Sequence, residues 1–120
     1  MLRINIQNEG ATAILHCSGR IVYGLEVETL RSIAKSRPER HLRVDLKNIE
    51  AIDACGLGLL VELQHWAAHE HRSLTYVNAS EFVLRLIILT GLQRVLAVPI
   101  REIRNYCPMD RTAASAALSA

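Results

Sequence analysis

The chain has 120 residues, half of them hydrophobic but only 4% aromatic, and a formal net charge of +2. A chain of this length buries roughly two thirds of its unfolded surface, so one domain with an aliphatic core is expected. Its scattered basic residues argue against a nucleic-acid stripe, which needs clustered Lys and Arg. The densest basic stretch, Arg37, Arg40, His41 and Arg43 beside Pro38, reads as a solvated loop. Cys17, Cys55 and Cys107 show no paired spacing, which argues against a disulfide framework or a zinc site. No apolar run reaches the roughly 18 residues of a membrane span, and no charged n-region with an apolar h-region opens the sequence. A cytoplasmic, reducing setting is the expectation.

Leu2, Ile4 and Ile6 alternate with Arg3, Asn5 and Gln7, which predicts a half-buried strand. Asn8-Glu9-Gly10 is a turn, and Ala11 to Ser18 returns as a second strand of a hairpin. Gly19 is expected to end it, with Arg20-Ile21-Val22 as a short extended continuation. From Gly24 the period becomes helical. Leu25, Val27, Leu30, Ile33 and Ala34 share one face, Glu26, Glu28, Arg31 and Lys35 point outward, and Pro38 enforces a stop. Leu42 to Leu46 reads as the next strand, with Ile49 following.

Ile49 to Leu60 then reads as the end of a buried strand, a tight turn and the start of a long helix. Asp53 can accept hydrogen bonds from the free amides of the first helical turn. Ala54 and Cys55 are small, and Gly56 and Gly58 let another backbone come close. The resulting surface is poor in side chains and sits at a helix N-terminus. It suits a phosphate or a docking partner.

The helix from Gly56 to about Glu70 gathers Leu57, Leu60, Val61, Ala67 and Ala68 on one side, with Leu63 adjoining. Glu62, His65 and His69 lie opposite. Leu59 and Trp66 fall on the rim of the apolar arc, packed under a neighbouring loop or exposed to a partner. Leu74 to Val77 is a further strand, and Ser80 an N-cap candidate. Phe82, Leu84, Leu86, Ile87 and Leu89 form a third helix, with Gly91 at the position after its cap. Val95 to Val98 is expected to be a last short strand. Residues 1–106 are read as the domain and 107–120 as a flexible tail. This element order predicts a single α/β domain whose mixed sheet carries helices mainly on one face.

Chemistry is sparse. Cys55 lies where a helix dipole lowers a thiol's pKa, but the favoured reading is a small residue filling a small space. His65 and His69 have zinc-ligand spacing without the His-Glu-x-x-His arrangement, so a solvated helix face is expected. Cys17 reads as core. No nucleophile–base pair, phosphate loop or carboxylate pair is present, so no enzyme, cofactor or metal is expected.

Val44-Asp45-Leu46, Ile52-Asp53-Ala54-Cys55-Gly56-Leu57-Gly58, Val77-Asn78 and Leu89-Thr90-Gly91-Leu92 together resemble a STAS domain of the anti-sigma factor antagonist type. The resemblance spans about residues 1–100. In signalling members the residue after the motif Asp is a Ser or Thr, phosphorylated by a kinase that doubles as an anti-sigma factor. The phosphate ends binding by adding nearly two negative charges to a tight interface. Here that residue is Ala54, and no Ser or Thr lies between Ile49 and Leu60, so only the binding half of that mechanism carries over. The resemblance implies a non-catalytic docking module, with Asp53, Ala54, Cys55, Gly56, Gly58, Leu59, Leu63 and Trp66 at its interface. Tyr23 and Gly24 join them from the loop that flanks the turn. The implied partner is an anti-sigma factor that is also a serine kinase. The alternative is an accessory STAS subunit of an ABC-type lipid transporter that binds the ATPase. A second copy of the chain is a further candidate partner, and a small-molecule sensor is a third reading.

Overall fold

Alternation in the first twenty residues builds an antiparallel hairpin, and the strand–helix units that follow extend its sheet. The computed structural model describes residues 2–104. Strands β1 (Leu2–Glu9) and β2 (Thr12–Ile21) turn at Gly10, whose φ of 62° suits glycine. Helix α1 (Leu25–Ser36) follows, then β3 (His41–Ile52), α2 (Ala54–His69), β4 (Ser73–Val77) and α3 (Glu81–Leu89). A 3₁₀ turn at Leu92–Arg94 leads to a short α4 (Ile100–Arg104). The sheet order is β1-β2-β3-β4, with β1/β2 antiparallel and the other two pairs parallel. This is the expected mixed sheet. Residues assigned to the C-terminal tail, including Cys107, lie outside the described residues.

One sheet face is apolar. Ala13, Leu15 and Cys17 of β2, Leu42, Val44 and Leu46 of β3, and Leu74 and Tyr76 of β4 are all buried. Val27, Leu30 and Ala34 from α1, Leu60, Leu63 and Ala67 from α2, and Val83 and Ile87 from α3 close the same core. The helices therefore lie mainly on that face. The other face is polar at its centre, where His16 bridges Asp45 (2.9 Å) and Gln7 (3.0 Å). Burial beside the Asp45 charge pushes the Cys17 thiol up to about 12, so Cys17 is an inert core residue as expected.

Several details depart from the sequence expectation. Gly19 does not end β2, which runs on to Ile21. β3 runs to Ile52 rather than Leu46 and carries two extra residues against β2. His16 faces Asp45 while Ser18 faces Asn48, and Gly19 faces Ile49 while Arg20 faces Ala51. Each bulge resets the alternation, so Leu46, Ile49 and Ile52 are all buried at a spacing of three. The first bulge is held by Asp45 Oδ1, which accepts from the Lys47 amide at 2.9 Å.

Leu25 is 81% exposed rather than on the core face. It precedes Val27 by two residues, about 200° around the helix. Val95 to Val98 is not a strand. The Ala97 carbonyl accepts from the Tyr76 amide (2.9 Å), but the Ala97 amide is taken by Gln64 Oε1 (2.9 Å), and Pro99 has no amide to continue a ladder.

Helix ends follow their chemistry. Arg37, before Pro38, is extended and closes α1. Ser80 caps α3 through the Val83 amide, and Gly91, at φ 75°, follows its C-cap. His71 (φ 58°) occupies the left-handed position after α2, where the Arg72 amide reaches the Ala67 carbonyl (2.8 Å) and the His71 amide that of Ala68 (3.2 Å).

Candidate functional site

The centre of the site is Asp53, at the junction of β3 and α2. It is the N-cap of α2, as expected, and its Oδ1 accepts from the Gly56 amide at 2.8 Å. Its Oδ2 reaches across to the Tyr23 amide at 2.9 Å. The carboxylate thus ties the loop after β2 to the start of α2, thirty residues later. The Tyr23 amide first, and the Gly56 amide next, hold its pKa below the ordinary carboxylate value.

Gly56 sits on the inner side of this junction. A Cβ there would lie 2.1 Å from the Ile21 carbonyl oxygen and 2.7 Å from Ile52 Cγ1. Glycine is required because the first turn of α2 presses directly on the end of β2. Gly58 faces open space, and a Cβ at that position would meet nothing within 4 Å. Ala54, Cys55 and Gly58 lie exposed on the outer side of the turn.

Opposite them stands the start of α1. Gly24 has φ 114°, which disfavours a side chain, and Tyr23 and Leu25 are 79% and 81% exposed. Between the two helix starts runs a groove of about 410 Å³. Tyr23, Gly24, Cys55 and Gly58 line it, with Val27 and Leu59 as its floor. Glu28, Arg31 and Glu62 close one end. Arg31 Nε and Lys35 Nζ reach the same Glu62 oxygen, at 2.9 and 2.8 Å, and Arg31 also pairs with Glu28. Hydrogen bonds from Arg31, and then Lys35, lower the Glu62 carboxyl to about 2.

The structure therefore brings Tyr23 and Gly24 together with Asp53, Ala54, Cys55, Gly56 and Gly58. It does not give α2 the exposed apolar rim that Leu59 and Trp66 would form, and Leu63, expected at the interface, is not at the surface. Leu59 is 2% exposed and Leu63 fully buried. The inner stripe of α2 is Gly56, Leu59, Leu60, Leu63 and Ala67, rotated from the arc read off the sequence because α1 covers the Leu59 side. Trp66 is half-buried about 20 Å along the helix from Asp53, and the Arg72 guanidinium lies 5.3 Å from its ring centroid. Sequence reasoning missed the Glu28–Arg31–Glu62 cluster. The charges at the turn-to-turn spacing Glu28, Arg31 and Lys35 were a usable signal, but their partner Glu62 is long-range.

A family profile described as "Mlab, STAS domain" matches residues 4–99, nearly the whole described chain. The chain belongs to the STAS domain family. Among solved structures, a Thermotoga maritima protein assigned as an anti-sigma factor antagonist aligns over 84% of this chain and 91% of its own, with TM-score 0.72 and 18% identity. An anti-sigma factor antagonist from Mycobacterium paratuberculosis aligns over 100% and 96%, with TM-score 0.71 and 18% identity. The antagonist SpoIIAA in its unphosphorylated form aligns over 88% and 99%, with TM-score 0.65 and 15% identity. At these identities the likeness is one of fold. A structure of Mglu is also matched, over 60% of this chain but 18% of the Mglu chain, with TM-score 0.56 and 20% identity. No curated protein matches. No described helix of this STAS domain is long and apolar enough to cross a membrane.

Proposed function

We propose that this STAS domain is a non-catalytic docking module of the anti-sigma factor antagonist type, and that it binds a kinase-type anti-sigma factor in the groove between the starts of α1 and α2. The observation that carries the reading is a groove in which a side-chain-poor turn, Cys55 and Gly58 beside the exposed Ala54, faces the exposed Tyr23. An aromatic side chain beside exposed backbone offers contact area that excludes water. Ala54 stands where relatives of this type carry a hydroxyl, so the module has no phosphate switch at the turn and stays competent to bind. Regulation then falls to the partner or to the amount of protein made.

A second reading uses the same surface: an accessory subunit of an ABC-type lipid transporter, seated on the ATPase. It is favoured by the match to the Mlab type of STAS domain and by Ala54, since a permanently assembled subunit needs no phospho-acceptor. Affinity capture from the native cell with the wild-type chain and Ala54→Glu separates the readings. The wild type is expected to retain one specific partner, and Ala54→Glu, exposed and foldable, to lose it by at least tenfold. An anti-sigma kinase in the eluate supports the first reading and a transporter ATPase the second. Undiminished capture by Ala54→Glu overturns the assignment of the surface.

A further inference from the structure

Among the described residues, one edge of the sheet is unguarded. Among the described residues β1 pairs only with β2, in an unbroken register from Leu2 opposite Gly19 to Glu9 opposite Thr12. Its outer side presents a strand of eight residues, about 27 Å of extended backbone with unpaired amides and carbonyls. Such edges are normally blunted by Lys, Pro, bulges or brevity. β1 has no Lys, Pro or bulge, its two charges, Arg3 and Glu9, stand near its ends, and both bulges of the sheet lie in β3. The opposite edge, β4, is by contrast partly occupied, because the Tyr76 amide donates to Ala97.

The side chains of β1 say what would cover this edge. On the open sheet face the strand carries Arg3, Asn5, Gln7 and Glu9 in succession. Run antiparallel against a second copy about Ile6, this row places Arg3 opposite Glu9 and Asn5 opposite Gln7. On the other face Ile6 lies opposite Ile6. Each cation meets an anion, each amide an amide, and Ile6, 42% exposed in the single chain, meets its own copy. Gln7 holds Glu9 Oε1 at 2.8 Å, which keeps the carboxylate on this face. No described residue pairs with Arg3. A two-fold axis needs a self-complementary surface, and the open face of this strand is one, while on the other face the same register sets Ile4 opposite Asn8 beside the central Ile6 pair.

We propose that two copies of the chain pair antiparallel through β1, centred on Ile6, to form one continuous sheet across both copies. The groove between α1 and α2 is not part of this edge, so the pairing is compatible with docking there. Charge exchange tests the register. Sedimentation analysis of the full chain over a concentration series should show a reversible dimer. Arg3→Glu alone should give a monomer, because like charges then oppose at both ends of the pair, and Glu9→Arg alone should do the same. An equimolar mixture of these two variants should restore the dimer, since each then supplies the charge the other needs. Far-ultraviolet circular dichroism checks that both exposed-site variants are folded. Independently of any variant, hydrogen exchange should show β1 amides gaining protection as wild-type concentration rises. A wild-type monomer at every concentration overturns the proposal. So does a dimer that ignores both substitutions, or one that the mixture fails to restore.

Discussion

Two glycines in one helical turn have opposite physical roles. Gly56 is pressed against the Ile21 carbonyl, whereas Gly58 borders open groove. Gly56→Ala should destabilise by about 1–3 kcal/mol, as overpacking does. Gly58→Ala should stabilise by about 0.5–1 kcal/mol, because alanine restricts the unfolded chain and favours helix. Urea unfolding of the two variants checks both signs. Asp53 offers a different test. Its carboxylate accepts two amides with two oxygens, so its depressed pKa contributes stability above the ordinary value of 3.8, which is lost as pH falls through the folded value. Asp53→Asn keeps one acceptor oxygen and turns an amide group toward the other donor. Its melting temperature should fall at neutral pH, and its acid limb should be shallower than that of the wild type. These roles were only partly readable. Asp53 announced its cap by preceding a helix. The close backbone approach expected at both glycines holds at Gly56 and not at Gly58, because it depends on where β2 ends in space.

Among the elements, the α1–α2 contact is the one whose polar part can be measured alone. Glu62 receives Arg31 and Lys35 from the neighbouring helix, with its side chain 38% exposed. Its carboxyl, at about 2 against an ordinary 4.5, stabilises the fold above pH 4.5 and loses that contribution as pH falls towards 2. Solvent screening keeps each pair at about 0.2–1 kcal/mol. Glu62→Gln should therefore lower stability modestly at pH 7 and flatten the pH dependence between those limits, as thermal unfolding across a pH series would report. Element directions were less legible than element types. α2 is apolar around most of its circumference, so which side faces the core is decided by α1 and β4, not by its own period. The same holds for Gln64, which bridges the Leu74 carbonyl and the Ala97 amide and so replaces the ladder expected at Val95 to Val98.

For the whole molecule, alternation followed by helical period was enough to read the strand and helix order up to α3. The register of β3 was not, since a spacing of three between Leu46, Ile49 and Ile52 suits neither strand nor helix until the bulges are known. The candidate site was readable at its turn, from Asp53 to Gly58, and by resemblance at Tyr23 and Gly24, but not at its floor and closed end, because Val27, Glu28 and Arg31 meet Leu59 and Glu62 only through the packing of α1 on α2. The Tyr23 wall is fixed by a single carboxylate. Since Asp53 binds the Tyr23 and Gly56 amides at once, the two lips of the groove cannot fluctuate independently. On the proposed docking role, a partner would meet a surface whose ordering cost was met during folding, so encounter rather than rearrangement would set the association rate. Loosening that tie would slow capture without removing one atom of the contact surface.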